Sequence, residues 1–195
     1  MRLAVIFTLV GCGTPSGGGG PNDAPLAHDA PAVQMDAPAN AFVLTSAALT
    51  EGGTFATANT CDGPNNDSPP LAWDHAPLAT QSFALVLTDT TIALTHSVIY
   101  DIPAATVMLP PALAKVYAPA VPAGTHEAPS IDDTPGYSGP CPPQGQAAHV
   151  YELALYALDV ATLPGTTMTT TRAMLTPLVA QHMIAKATLT ASYAR

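Results

Sequence analysis

Short apolar segments of alternating polarity constrain the fold of this chain more than any other feature. The segments "QSFALVLTD" and "HVYELALYAL", at 81–89 and 149–158, carry an apolar residue at every second position, so that these residues share one face. That two-residue period is typical of β-strands. Clusters of Gly, Pro, Asn and Asp separate such segments and indicate turns. We therefore predict an all-β fold, in the form of an antiparallel Greek-key β-sandwich.

One stretch near the C-terminus departs from this pattern. Residues 169–183, "TTTRAMLTPLVAQHM", have a composition and spacing typical of a short helix. Pro177 must either kink that helix or lie in its first turn. The next segment, "AKATLTASYA", alternates again. We predict a short C-terminal helix appended to the sandwich and followed by a last strand.

The first twelve residues resemble a bacterial lipoprotein signal. Arg2 precedes an apolar run at 3–10, and "LVGC" resembles a lipobox that ends at Cys12. The run is far shorter than the roughly 20 residues of a membrane-spanning helix, which argues against that alternative. We predict a signal peptide at 1–11 and a lipid on Cys12. A start codon further upstream would leave the Cys12 assignment unchanged.

The segment that follows has the composition of a spacer. Gly, Pro, Ala and Asp dominate residues 12–40, and no apolar periodicity runs through them. Such a segment cannot bury enough apolar surface to order itself. We predict a lipidated, disordered tether at 12–40 and a folded domain at 41–195. The expected location is the bacterial cell envelope, where the lipid-anchored domain faces the periplasm or the surface.

The cysteine count suggests one disulfide. The chain has three cysteines, and once Cys12 carries lipid, Cys61 and Cys141 remain as an even pair. An exported protein lies in a compartment that permits disulfides. We predict that this pair is bonded. Two unpaired, buried thiols are the alternative, because the sequence alone does not fix the separation of the two residues.

The net charge excludes two classes of partner. The chain has five Lys and Arg against 14 Asp and Glu, a formal net charge of -9. It therefore offers no basic surface for a nucleic-acid backbone or for anionic lipid. We expect no nucleic-acid partner, and we expect membrane attachment only through the lipid anchor.

Polar residues lie at the ends of three predicted strands. His149 and Tyr151 begin one strand on the same face, Asp89 ends another, and His96 heads the segment "LTHSVIYDIP", whose even-numbered residues are expected to share a face. If these ends meet, they line one pocket. Imidazole and phenol donors suit phosphate or carboxylate oxygens. The alternative is that each His makes a structural hydrogen bond and that Asp89 caps a turn.

A proline-rich loop, "GPCPPQG" at 139–145, precedes the strand that carries His149. Gly139 and Gly145 bracket this loop, and backbone without a side chain can approach a ligand closely. The prolines fix the loop before binding, so less ordering entropy opposes a ligand. Gly139 and Pro140 are therefore part of the predicted site.

The motifs "SFALVLTDTT", "HSVIYDIPAATVMLP", "GYSGPCPPQG" and "HVYELALYALD" are similar in order and spacing to the phosphatidylethanolamine-binding protein family, in its bacterial Raf-kinase-inhibitor-like branch. The resemblance covers about residues 42–195. It implies a β-sandwich with a small anion pocket. Matched residue by residue, it assigns Asp89, His96, His149 and Tyr151 to that pocket.

The chain departs from the family pattern beside the pocket. Thr91 stands where the family has a second Asp, Leu94 where it has a Trp, and Val150 where it has an Arg. Thr90 and Ala93 replace two prolines. These changes imply a weaker and more permissive site.

The sequence therefore predicts an exported binding module for a small anionic ligand, such as phosphate or a phospholipid head group, with no turnover and no cofactor. "GYSGP" lacks the spacing of a serine-nucleophile elbow, and no His-Glu-x-x-His motif occurs. No metal is predicted, because the histidines at 75, 96, 126 and 149 form no close-spaced ligand pair. The alternative function is inhibition or modulation of an envelope protease or another protein partner.

Overall fold

The computed structural model describes residues 40–195, which form a mainly β structure with one short α-helix. The predicted signal peptide at 1–11, Cys12 and all of the predicted tether before residue 40 lie outside the described residues. In chain order the elements are β1 (Val43–Thr45), β2 (Gly53–Thr54), a 3-10 turn (Thr57–Asn59), β3 (Leu71–Asp74), β4 (Ser82–Asp89), β5 (Leu94–Pro103), β6 (Met108–Leu109), β7 (His126–Glu127), β8 (His149–Leu158), α1 (Arg172–His182) and β9 (Met183–Tyr193).

The strands form two sheets. The small sheet has the order β1-β3-β6, and the large sheet has the order β2-β9-β8-β4-β5-β7. Neighbouring strands are antiparallel except β2 and β9, which pair in parallel over two residues. The mainly β fold with one short helix agrees with the sequence analysis. The parallel pair departs from a purely antiparallel arrangement, and the Greek-key connectivity stays a prediction.

The two sheets share one apolar cluster, here called the inter-sheet core. Leu44 and Trp73 contribute from the small sheet, and Phe83, Leu85 and Leu153 contribute from the large sheet. The rings of Trp73 and Phe83 meet edge to face, with their centroids 5.3 Å apart. Because aromatic side chains bury large apolar areas, this contact fixes the small sheet against the large one. Trp73 is thus a core residue.

The helix covers the opposite face of the large sheet. Leu175 and Val179 are buried there against Val86 and Val98, in what is here called the helix-side core. Pro177 lies inside α1, beyond its first turn, and has no N–H to donate to the preceding turn. Packing on the sheet offsets that loss, because tertiary contacts provide most of the stability of a short helix. Within residues 40–195, no helix is long and apolar enough to cross a membrane.

Strand β5 does not keep the parity that the sequence predicts. Its pairing with β4 shifts twice, and each shift places one extra residue on β5. An extra residue is a β-bulge, and it turns the side chains beyond it to the opposite face. Val98 and Tyr100 therefore pack in the helix-side core, whereas Ile102 lies in the inter-sheet core and His96 contacts Tyr151. The expectation that the even-numbered residues of β5 share a face is wrong.

Candidate functional site

A buried Asp–His pair forms the centre of the site. Strands β4 and β8 lie side by side, so the end of β4 meets the start of β8. The Nδ1 atom of His149 lies 2.6 Å from Oδ2 of Asp89, and both side chains are buried. The other oxygen of Asp89 accepts a hydrogen bond of 2.9 Å from the Thr91 amide. With Nδ1 donating to the carboxylate, Nε2 of His149 is the nitrogen left for a ligand.

The second imidazole is held by backbone carbonyls. Nδ1 of His96 lies 3.3 Å from the carbonyl oxygen of Ser138 and 3.1 Å from that of Gly139. Carbonyl oxygens only accept hydrogen bonds, so Nδ1 carries the proton and Nε2 is again the free nitrogen. Burial lowers the pKa of His96, although these carbonyls and Asp89 oppose that effect. His96 is therefore neutral in neutral solution and presents a lone pair at Nε2.

Tyr151 lies between the two imidazoles. Its ring centroid is 5.4 Å from that of His96, with the rings perpendicular, and 6.4 Å from that of His149. The side chain is fully buried, and its hydroxyl makes no hydrogen bond of normal geometry within residues 40–195. Burial, together with the nearby Asp89 carboxylate, raises the pKa of Tyr151, so the hydroxyl keeps its proton. A buried hydroxyl without a partner costs about 1–3 kcal/mol, which a bound acceptor would recover.

The structure thus brings together Asp89, His96, His149 and Tyr151, the four side chains that the sequence analysis placed in one pocket. His96 was placed there by assuming that side chains alternate without interruption along β5. The four side chains meet even though two bulges interrupt that strand. Within the described residues, no three His, Cys, Asp or Glu side chains are placed to hold a metal ion.

Gly139, in the proline-rich loop, packs closely against other residues of the protein. A Cβ at that position would lie 2.6 Å from Oδ1 of Asn66 and 2.8 Å from Oη of Tyr137, and closer still to the Asn59 carbonyl. The missing side chain therefore allows close packing within the protein. The carbonyl of Pro140 is also used internally, since it accepts a hydrogen bond of 3.1 Å from the Cys61 amide. Gly139 contributes to the site by orienting His96.

Cys61 and Cys141 form a disulfide, with their Cα atoms 5.3 Å apart. The structure thus contains the predicted pair and not the alternative of two unpaired thiols. The bond joins the proline-rich loop to the segment after β2 that includes Asn59, Cys61 and Asn66, here called the turn-rich segment. It therefore fastens the loop whose carbonyls hold His96.

Three residues that organise the site were not assigned to it in the sequence analysis. Ser138 acts through its carbonyl, which every residue possesses, so no side-chain signal could have identified it. Thr91 holds Asp89 through its amide and accepts from the Val150 amide through its hydroxyl, at 2.9 Å. The signal for Thr91 was its position beside Asp89, where the family has an acidic residue. Asn66 accepts from the Gly139 amide at 2.9 Å and lies in a stretch that reads only as a turn.

Comparison with known proteins gives one consistent result. The sequence profile described as "Phosphatidylethanolamine-binding protein" matches residues 45–194. A UPF0098 protein of Methanothermobacter thermautotrophicus is 38% identical over 60% of this chain and 76% of its own length. A UPF0098 protein of Aquifex aeolicus is 38% identical over 53% of this chain and 60% of its own length. The UPF0098 protein YbcL of Escherichia coli is 29% identical over 68% of this chain and 76% of its own length.

Two solved structures resemble the described residues. The crystal structure of Escherichia coli YbcL, a member of the mammalian PEBP family, aligns with a TM-score of 0.72 and 26% identity, over 79% of this chain and 98% of that chain. The crystal structure of CT736 from Chlamydia trachomatis, a phosphatidylethanolamine-binding protein homologue, aligns with a TM-score of 0.66 and 26% identity, over 80% of this chain and 99% of that chain.

Proposed function

The chain belongs to the phosphatidylethanolamine-binding protein family, and from that premise we propose that its site binds a small anion, phosphate or a phosphate-bearing head group, without turnover. The observation that carries the proposal is the Tyr151 hydroxyl, which is fully buried and makes no hydrogen bond of normal geometry within residues 40–195. It lies beside two imidazoles, those of His96 and His149, whose Nδ1 atoms are already engaged. Three polar groups are thus held ready for one small ligand.

The orientation of the imidazoles makes binding depend on a proton. Each Nδ1 is a donor, so each neutral ring presents an accepting lone pair at Nε2. Anion oxygens also accept, and two acceptors do not form a hydrogen bond. An anion therefore binds when an imidazole takes up a proton or when the ligand brings one as a P–OH group. No Lys or Arg makes a hydrogen bond or ion pair with these four side chains in the described part of the chain.

We expect inorganic phosphate and phosphoethanolamine to bind with Kd values of about 0.1–10 mM, because neutral hydrogen bonds contribute about 1 kcal/mol each and charge-assisted bonds roughly 1.5–3. Affinity should fall as pH rises from 5.5 to 8, by up to about tenfold per pH unit for one coupled proton. Calorimetry or NMR titration measures this. Sulfate is a useful second ligand because its charge is constant over that range, so a fall in its affinity reports protonation of the protein.

Two variants test the site directly. His149→Ala should abolish binding, and Tyr151→Phe should weaken it about fivefold, since one hydrogen bond of about 1 kcal/mol is lost. Tyr151→Phe should destabilise the free protein little, because the hydroxyl makes no hydrogen bond of normal geometry there. His182→Ala is the matched control, since it removes an exposed His–Asp pair with Asp159. Unchanged affinity in both site variants, or chemical shifts that map elsewhere, would refute the proposed site.

We further propose that the protein is exported and held in the bacterial cell envelope by lipid on Cys12. This rests on the sequence pattern at 1–12 and on the acidic net charge of -9, which favours no electrostatic membrane contact. Cys12→Ser should release the protein from the membrane fraction or leave its signal unprocessed. Full retention of correctly processed Cys12→Ser protein in that fraction would reveal a second anchor.

A further inference from the structure

We infer that the Cys61–Cys141 disulfide is a redox control on the ligand site, such that its reduction by a dithiol loosens the loop that holds His96 and weakens ligand binding. The inference rests on the proposed function for its consequence. Its structural part, the coupling between the disulfide and His96, stands on separate observations.

The disulfide lies next to the groups that orient His96. Cys141 follows Pro140, whose carbonyl accepts the Cys61 amide at 3.1 Å. The two preceding carbonyls, of Ser138 and Gly139, accept from Nδ1 of His96. The two backbone acceptors of the His96 imidazole thus lie only two and three residues before the cross-linked Cys141. A displacement of this loop removes the acceptors that fix the proton on Nδ1.

Two further hydrogen bonds run between the same two segments as the disulfide. The Gly139 amide donates to Asn66 at 2.9 Å, and the Tyr137 hydroxyl donates to the Asn59 carbonyl at 2.7 Å. Asn59 and Asn66 belong to the turn-rich segment that carries Cys61. The cross-link holds these segments together, so every one of these hydrogen bonds forms at a high effective concentration. Reduction therefore weakens all of them together.

The disulfide is also open to exchange. Cys141 is exposed and Cys61 is partly exposed, and Nη1 of Arg195 lies 3.7 Å from the sulfur of Cys141. Arg195 is held there by Asp62, with Nη2 2.8 Å from Oδ1, and Asp62 in turn accepts from the Tyr193 hydroxyl at 2.8 Å. A fixed guanidinium stabilises a thiolate beside it. Cys141 is therefore the better leaving group of the two cysteines.

The exchange proceeds in two balanced steps. The thiolate of an external dithiol attacks the sulfur of Cys61, the S–S bond breaks, and its electron pair leaves on the sulfur of Cys141 as a thiolate beside Arg195. The second thiol of the reagent then attacks the mixed disulfide and releases Cys61. The dithiol becomes a cyclic disulfide, two electrons pass to the protein, and the two protons of the dithiol are available to the new cysteine thiolates.

The coupling is tested on full-length protein in oxidised and dithiothreitol-reduced form, and on the Cys61→Ser, Cys141→Ser double variant. Affinity for inorganic phosphate should be at least tenfold weaker in the reduced and double-variant proteins. Amide hydrogen exchange at Gly139 and at residue 61, whose amides donate between the two segments, should be at least tenfold faster. A dispersed amide NMR spectrum confirms that each form is folded. The comparison of oxidised with reduced wild-type protein tests the coupling even if the double variant does not fold.

The outcomes separate the two proposals. If phosphate binds equally to oxidised and reduced protein and loop exchange is unchanged, the redox inference is wrong and the proposed function stands. If phosphate binds to neither form, the proposed function fails, and loop exchange alone decides the coupling: faster exchange in reduced protein supports it, and unchanged exchange overturns it.

The role of Arg195 has its own test. Arg195→Ala should slow reduction by dithiothreitol about tenfold, and Arg195→Lys should restore most of the rate because it keeps the charge. Lys186→Ala removes a different surface cation, which pairs with Glu152, and should leave the rate unchanged. Equal rates for wild type and Arg195→Ala would overturn the assignment of Cys141 as the stabilised leaving group.

Discussion

Replacing Cys61 and Cys141 together by serine is expected to lower the free energy of unfolding by about 4.5 kcal/mol. The bond joins residues 80 apart in sequence, and in the chain-entropy model a closed loop of that length restricts the unfolded chain by this amount. Urea denaturation of the oxidised wild type and the double variant, extrapolated to water, measures the difference.

Reduced wild-type protein is the matched control, because it has the same side chains without the bond. It should show the same loss as the double variant. A loss below about 1 kcal/mol in both would mean that the unfolded chain stays compact without the cross-link, so that the bond restricts little.

Glu127 is expected to make the protein less stable as pH rises from about 4.5 to about 7. This residue lies in β7, is fully buried, and neither carboxylate oxygen makes a hydrogen bond of normal geometry within residues 40–195. Burial raises the pKa of Glu127 to about 7, against the opposing effects of the Val116 backbone and the Lys115 charge.

The sign follows from comparing the two states. Below about pH 4.5 the Glu127 carboxyl is protonated in both the folded and the unfolded chain, so its titration has no effect. Above that pH the unfolded chain ionises and the folded chain does not, which stabilises the unfolded state until the folded pKa is reached. The difference of about 2.5 pKa units corresponds to roughly 3 kcal/mol.

Glu127→Gln removes this titration. The difference in unfolding free energy between variant and wild type should therefore grow by roughly 3 kcal/mol between pH 4.5 and pH 7.5. Comparing the two proteins cancels the contribution of His96, whose lowered pKa acts with the opposite slope. Asp74→Asn, at an exposed carboxylate, should show no such growth. A parallel pH dependence in wild type and Glu127→Gln would show that water or a donor reaches the Glu127 carboxylate.

The regular strands of the large sheet could be predicted from sequence because their periodicity is unbroken. In β8, Tyr151, Leu153 and Leu155 all lie in the inter-sheet core, as the alternation indicated. The same alternation in β4 carried Asp89 to the position where it meets His149. A strand without bulges keeps one face buried, so the identities of its residues report its orientation.

The features that could not be predicted depend on the backbone or on contacts remote in sequence. The two bulges of β5 insert residues that no side-chain pattern marks, so the faces of Val98 and Tyr100 were assigned wrongly. The packing around Gly139 involves atoms of residues 59, 66 and 137, which sequence could not place beside it. Glu127 reads as a surface residue by type, and only the tertiary fold buries it.

The site is assembled from segments that are far apart along the chain, and this links ligand binding to folding as a whole. Asp89 and His149 are 60 residues apart, and His96 is 43 residues from Gly139. Such contacts form only after large loops have closed, so no short fragment holds the site. A ligand that binds only the folded chain therefore raises the stability of the entire domain, by about 1.4 kcal/mol at a concentration ten times its Kd. Ligand occupancy of the proposed site would thus protect every strand of the large sheet from unfolding.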